Sequence, residues 1–398
     1  MLNTNTSSGK KICIVTTVES SMENWIVPFL DEYHNRAIDV TLVCNMTLDQ
    51  ESSLKNRFDF VKTESIPFPR GINVTGSLKS VFELFRLFRR GNFDLVQYST
   101  PNASMYASLA SYFAGVPTRL YCQWGMVFMS MSGVKRLIFM AIEKLVCRLS
   151  TRVQPDSKGN LDYCRSHGFY DESKSNVIWN GSAKGLNLDE FDLSKKDEYS
   201  HEIKTRYDIK EDSPVVGFVG RLGRDKGCNE LLAAFRDLVK DRPDAVLLFV
   251  GPIEKRETIE PELLAFFDES ENVVKTNRVN DVHKHMAAMD LLTLPSYREG
   301  FGMSVVEASA MALPVVVTEY PGPSSAVLPN KTGLVIPIAD SQALKLAISQ
   351  LLDNPNLAKS LGMNGRSFVE ESFNFNIFKE KLMEDRLTLL GIEACHGR

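Results

Sequence analysis

The sequence has no cysteines at C-x-x-C spacing; its seven (Cys13, Cys44, Cys122, Cys147, Cys164, Cys228 and Cys395) are scattered. That excludes a zinc ribbon and a disulfide framework, and fits a reducing cytosol. No D-x-D occurs and no Asp or His cluster marks a divalent metal site, so none is expected. No apolar run approaches the ~18 residues that a membrane-spanning helix needs. The opening MLNTNTSSGKK is polar, so a signal peptide is not expected and a cytoplasmic location is. GRLGRDKG lacks the G-K-[ST] ending of a P-loop. VTTVESSM stands after the first strand where a dinucleotide oxidoreductase would carry G-x-G-x-x-G. Internal repeats and low-complexity tracts are absent as well.

What is present is ordinary globular composition: 43% hydrophobic and 24% charged in 398 residues, enough for two domains. The net charge is −4, and no nucleic-acid partner is expected. Residues 1–190 carry 21 Lys and Arg against 18 Asp and Glu, so the acidic excess lies in the second half.

The first half alternates apolar strands (Lys11 to Thr17, Asp39 to Cys44, Asp94 to Tyr98, Thr118 to Gln123) with helical stretches. These run near Glu23 to Tyr33, Leu78 to Arg90, Ala103 to Ala114 and Val134 to Leu149. The polar stretch Asp189 to Ser213 reads as a connection. A second series follows, with strands at Val215 to Val219, Ala245 to Gly251 and Asp290 to Leu294, and helices at Cys228 to Lys240 and Val282 to Met289. The expected fold is therefore α/β, two doubly wound Rossmann-like domains with an interdomain cleft. The domains are placed at 1–190 and 191–375, and an amphipathic helix with Ile377, Phe378, Leu382 and Leu387 at helical spacing fills 376–398.

The most informative segment is Tyr297 to Pro314, YREGFGMSVVEASAMALP. It sits between two apolar strands, where open parallel sheets place ligands. Gly300 and Gly302 allow close backbone approach, and the helix that follows offers amide hydrogens and a positive dipole end to a phosphate. Glu299 precedes that helix and Glu307 lies just over a turn inside it, so their carboxylates can reach different parts of a long ligand. Each glutamate alone could be a surface carboxylate, Glu299 paired with Arg298. The glycines between them and the small residues after them favour a ligand site. A second segment, VGFVGRLGRDKG, puts Arg221 and Lys226 among Gly220, Gly223 and Gly227 just beyond a strand. Such cations can stabilise a leaving diphosphate, or could simply neutralise a neighbour such as Asp225.

The first segment resembles the E-x7-E signature of retaining glycosyltransferases of family 4, which have the GT-B architecture, and VGFVGRLGRDKG is similar to the first strand and loop of that family's donor domain. The resemblance covers nearly all of the second half and, more loosely, the first. It implies retention of anomeric configuration and a UDP-sugar donor with no metal or other cofactor. Arg221 and Lys226 would contact the donor diphosphate. Glu299 would bind the transferred sugar and orient its reacting carbon, and Glu307 would accept from the ribose. Backbone amides of Gly300, Phe301 and Gly302 would meet sugar and diphosphate near Gly220, with Arg278 or Val279 edging the base. The C-terminal helix would cross back to the first domain.

The acceptor side is less legible. Where many relatives carry glycines and a His, this chain has Val18-Glu19-Ser20-Ser21 and Gln123-Trp124-Gly125, and Gln123, Trp124 and Gly125 are the candidates for an acceptor pocket. No general base is assigned. NGSAKGLNLDEF is similar to a GS-x-x-G-[IV]-D-L-x-x-F segment of bacterial enzymes extending undecaprenyl-diphosphate sugars, with Asn187 in place of the usual Asp. A lipid-linked saccharide in polysaccharide, capsule or O-antigen assembly is the acceptor this implies.

SLKSVFELFRLFRR combines Val81, Leu84, Phe85 and Phe88 with Lys79, Arg86, Arg89 and Arg90, and MVFMSMSGVKRLIFM contains Lys135 and Arg136. Both can be read as peripheral contacts with an anionic membrane on its inner face, or as core helices with solvated basic edges. Two other functional readings share the architecture: a nucleotide-sugar 2-epimerase and a non-catalytic nucleotide-sugar-binding subunit.

Overall fold

Cys13 and its neighbours in Lys11–Val18 (β1) are buried at five consecutive positions, so this strand is covered on both faces. It centres a parallel sheet that also contains β2 (Asp39–Asn45), β3 (Lys62–Ser65), β4 (Leu95–Ser99), β5 (Thr118–Gln123) and β6 (Arg152–Pro155), in the order β3-β2-β1-β4-β5-β6. The computed structural model describes residues 9–69 and 73–392.

A second parallel sheet repeats this plan with β7 (Val215–Val219), β8 (Val246–Val250), β9 (Val273–Lys275), β10 (Leu291–Leu294), β11 (Val315–Thr318) and β12 (Gly333–Ile336). Its order is β12-β11-β10-β7-β8-β9. Each sheet reverses direction next to its first strand, between β1 and β4 and between β7 and β10. At such switch points the loops leaving two adjacent strands diverge and leave a crevice for a ligand.

The chain forms two units. The first comprises Met1–Asp156, Asn160–Lys184 and Ile377–Arg398, and the second Ser157–Gly159 and Gly185–Asn376. In the second, Phe218 stacks on Phe249 at 4.7 Å and Phe267 meets Phe249 edge-on at 5.1 Å. Each such fully buried ring contributes about 1.5–3 kcal/mol.

Three readings of the sequence change, and one left open is narrowed. The segment 189–213 is not a bare connection, because it holds the helix Lys196–Arg206, anchored by the fully buried Ile203 and by Lys196 Nζ donating to Met311 O at 2.8 Å. The stretch read as one helix from Glu23 to Tyr33 is broken into Glu19–Trp25, a 3-10 turn containing Pro28, and Leu30–His34; proline cannot continue the first helix. In the C-terminal helix Phe375–Leu389, Phe378 and Leu382 are buried as expected but Ile377 is exposed, and Met383, Arg386 and the following Leu390 complete the inner face. Arg386 is 3% exposed and is held within the first unit by Gln97 Oε1 at 3.0 Å, Gln154 Oε1 at 2.8 Å and Asp385 Oδ2 at 2.5 Å. Finally, Leu84 and Phe88 of the helix Val74–Gly91 are buried, as are Met126, Phe128 and Met129, so these apolar residues belong to the core.

Candidate active site

The two sequence segments come together because β7 and β10 are neighbours, with Leu291 beside Val216 and Leu292 beside Gly217. The loop GRLGRDKG leaves β7 and the loop YREGFG leaves β10 at the same edge of the sheet. Their backbones touch: Gly227 has φ +69°, and a Cβ there would lie 2.0 Å from Pro295 O. Tyr297 N donates to Asp225 O at 3.0 Å, adding a main-chain tie between the loops.

The charged side chains pair across this contact. Lys226 Nζ lies 2.5 Å from Glu299 Oε1, which also accepts from Ser296 Oγ at 2.9 Å. Ser296 is fixed in turn, its carbonyl accepting from Thr318 Oγ1 at 2.6 Å. Arg221 Nη2 pairs with Asp225 Oδ2, and Arg298 Nη2 reaches the same oxygen at 3.2 Å. Burial pushes the Asp225 carboxyl up, but the charges of Arg221, Arg298 and Lys226 outweigh it and hold the group below the ordinary carboxylate range. Arg221 Nη1 is buried and has no hydrogen-bond partner among the described residues, so one edge of the guanidinium is engaged and the other is not. Tyr297 donates to Glu230 Oε1 at 2.6 Å and pins the start of the second loop. Burial, then the Glu230 carboxylate, pushes the Tyr297 phenol up.

The remaining donor-side candidates fall around this centre. Gly302, at φ +91°, caps the helix Met303–Ala310 that carries the half-buried Glu307. The ring of Phe301 is 2% exposed and packs edge-on against Phe373 at 5.2 Å, which leaves only its backbone for a ligand. Gly300 and Glu299 face Gly322, whose Cβ would sit 2.6 Å from Glu299 O. Gly220 N donates to Val250 O at 2.9 Å, and Gly251 N, beside it, to Asn277 O at 2.9 Å, which draws the loop of Arg278 and Val279 to the same sheet edge. Arg278 is exposed, whereas Val279 packs on the core. Asn187 Oδ1 accepts from Asp189 N at 3.3 Å, a capping role an aspartate would fill equally.

In the first unit the three acceptor candidates separate. Gln123 is fully buried and its amide is committed: Nε2 donates to Glu143 Oε1 at 2.6 Å, and Oε1 accepts from Tyr170 OH at 2.9 Å. It is a structural residue rather than a pocket wall. Trp124 and Gly125, the latter at φ +85°, do reach a partly open surface. Trp124 faces Trp25 at 5.9 Å, and Lys184 Nζ stands 5.5 Å from the Trp25 ring. These two indoles edge a cavity of about 40 Å³ that Asp156, Ile178 and Ser182 also line. Sequence reasoning missed Trp25, which has no local signal; only folding brings it to Trp124.

Among the described residues no group of three or more His, Cys, Asp and Glu is placed to hold a metal ion. Two family models match the chain: "Glycosyl transferase 4-like" over residues 11–157 and "Glycosyl transferases group 1" over residues 200–368. The chain is 28% identical over 80% of its length, and 82% of the relative's, to the capsular polysaccharide biosynthesis glycosyltransferase CapM of Staphylococcus aureus. It is 23% identical over 85% of its length, and 86% of the relative's, to the Escherichia coli UDP-Gal:alpha-D-GlcNAc-diphosphoundecaprenol alpha-1,3-galactosyltransferase. Among solved structures, Anabaena HepE in complex with UDP superposes with a TM-score of 0.75 over 95% of this chain and 100% of that one, at 18% identity.

Proposed function

Because the chain belongs to glycosyltransferase family 4 and has the GT-B architecture, we propose that it is a retaining enzyme. It transfers a hexose or N-acetylhexosamine from a UDP-sugar to a lipid-linked saccharide of undecaprenyl-diphosphate type in polysaccharide, capsule or O-antigen assembly. The observation that carries this reading is the cross-loop cluster of Arg221, Lys226, Asp225 and Glu299 at the switch point of the second sheet. The name of the E. coli relative supports the donor and acceptor classes, and the UDP complex of HepE supports the nucleotide.

In this reading the donor diphosphate displaces Asp225 and Glu299 from the two cations. Arg221 and Lys226 then face the oxygens on which charge grows as the sugar–phosphate bond breaks. Each charge-assisted hydrogen bond is worth roughly 1.5–3 kcal/mol, so two that strengthen in the transition state supply on the order of 10² to 10⁴ in rate without a metal. Glu299, released from Lys226, binds hydroxyls of the transferred sugar, and Glu307 accepts from the ribose. The acceptor hydroxyl forms its new bond to the anomeric carbon on the face the phosphate leaves, and its proton passes to the departing phosphate oxygen. No protein base is needed. Trp25 and Trp124 supply flat apolar faces for an acceptor sugar ring.

Calorimetry with a panel of nucleotide sugars, followed by transfer to a diphosphate-lipid analogue, tests the proposal. Binding of a UDP-sugar and a lengthened, retained-configuration product are expected. An epimerised sugar from the donor alone would overturn it, as would binding without turnover on any acceptor.

A further inference from the structure

Between the helices Pro101–Phe113 and Gly133–Leu149 the first unit holds another cavity, of about 50 Å³. Met105, Phe128, Phe139 and Ile142 give it apolar walls, and Ser104 and Glu143 give it two polar points. Asn102, Val127 and Phe139 are half-buried, so it opens between the start of Pro101–Phe113 and the segment that follows β5. Both leave the C-terminal ends of parallel strands, the ligand edge of such a sheet.

The two polar points are uncommitted. Ser104 is 1% exposed, and its Oγ has no hydrogen-bond partner among the described residues. Glu143 accepts from Tyr121 OH at 2.8 Å and Gln123 Nε2 at 2.6 Å, both on Oε1, and no described residue donates to Oε2. Buried polar groups are nearly always paired in folded chains. An unpaired hydroxyl and an open carboxylate oxygen on one cavity therefore call for a ligand that accepts from the first and donates to the second.

Size and chemistry narrow that ligand. A water-sized group needs roughly 10–15 Å³ of such space, so about three to five non-hydrogen atoms fit. An anion is disfavoured, because the Glu143 carboxylate faces the space and no Lys or Arg is among its described lining residues. An alkyl group would fill the walls but leave Ser104 Oγ and Glu143 Oε2 buried without partners. A lone hydroxyl would satisfy those atoms and leave the apolar walls uncovered. An ammonium would suit Glu143, but the first turn of Pro101–Phe113 presents its positive dipole end to the same space. A methyl amide meets every requirement: its N–H donates to Glu143 Oε2, its carbonyl accepts from Ser104 Oγ, and its methyl packs on Phe128 and Phe139.

We propose that this cavity is a subsite for the N-acetyl group of an acceptor sugar, with Ser104 and Glu143 as its specificity-determining residues. The proposal rests on the transferase reading for the sugar, whereas the amide chemistry comes from the cavity alone. Gln123 ties the subsite to the rest of the acceptor side. Its amide bonds Glu143, and the next residue, Trp124, faces Trp25.

The test is titration of the full chain, followed by ligand NMR, with methyl glycosides of the gluco and galacto series that carry acetamido, hydroxyl or ammonium at C2. In at least one series the acetamido glycoside should bind at least tenfold tighter than the other two, since a site built to bond a group rejects the analogue that lacks it. Ser104→Ala removes a hydroxyl that bonds no described residue, so the melting temperature should hold while the preference falls at least fivefold. Ile142→Phe, which fills the space from the second helix, should abolish the preference. Equal binding of acetamido and hydroxyl glycosides in both series would overturn the proposal. Tightest binding of the ammonium glycosides would overturn it in favour of a cation site, and variants that keep the parent's preference would show that the amide binds elsewhere. A preference for the acetamido glycoside with no transfer to any acceptor would refute the transferase reading and leave the subsite standing. Transfer indifferent to the acetamido group would refute the subsite alone.

Discussion

Lys226 and Glu299, 73 positions apart in the chain, hold each other across the loops that leave β7 and β10. The ammonium and the carboxylate are 20% and 14% exposed, so their charges are only partly screened by solvent. In the proposed donor complex a phosphate would take the place of the carboxylate beside the ammonium, and a sugar hydroxyl that of the ammonium beside the carboxylate. Lys226→Ala and Glu299→Gln should each lower transfer at least a hundredfold while the melting temperature changes by only a few degrees. Steady-state kinetics beside thermal unfolding checks this, and near-normal turnover in either variant would refute the assignment.

Gly227 is where the two loops meet backbone to backbone. An added methyl group would have to move Pro295 O and adopt φ +69° as well. Gly227→Ala should therefore destabilise the second unit by about 2 kcal/mol or more and reduce nucleotide-sugar affinity. Urea unfolding measures the first effect and calorimetry the second.

Burial pushes the Glu143 carboxyl up, against the donated bonds from Gln123 Nε2 and Tyr121 OH. A carboxyl whose folded value lies above its unfolded one binds more protons in the folded state, so its contribution is complete below the unfolded value of about 4.3. That contribution falls as pH rises towards the folded value and is gone above it. Glu143→Gln should flatten the decline in melting temperature on raising the pH from 4 to 7, with little change at pH 4. An unchanged slope would show that Glu143 does not titrate in that range.

Arg386 places a guanidinium among Gln97, Gln154 and Asp385 at 3% exposure. Arg386→Met leaves those three groups without their cation, and breaking a buried ionic cluster in this way costs about 3–5 kcal/mol. Denaturant unfolding should show the loss. Nucleotide-sugar binding at low temperature should survive it, since Arg386 belongs to the first unit.

The two loops of the candidate donor site were readable in sequence because a parallel strand is a run of apolar residues and the loop after it is glycine-rich and charged. Both signals are local, and β7 and β10 announce themselves and their loops together. The helix Lys196–Arg206 gave no such signal, because Ile203 is its one buried residue and Tyr199 the only other of its apolar side chains that packs on the core. Gln123 looked available beside Trp124, yet its commitment to Glu143 and Tyr170 depends on residues far along the chain. In Gly133–Leu149 nearly every position is apolar or basic, so periodicity could not tell an inward stripe from an outward one; only the packing of Val146 and Cys147 decides it. Trp25 was invisible for the reason that makes it informative, since its partner Trp124 is brought to it by the fold.

The assignment of Ile377–Arg398 to the first unit sets a rule for recombining this protein with its relatives. An exchange of the first unit by joining two chains at one crossover near Lys184 would separate Arg386 from Gln97 and Gln154 and pair it with foreign side chains. A graft that keeps the second unit therefore needs two junctions, the other close to Asn376, so that the last helix travels with the sheet it helps to close.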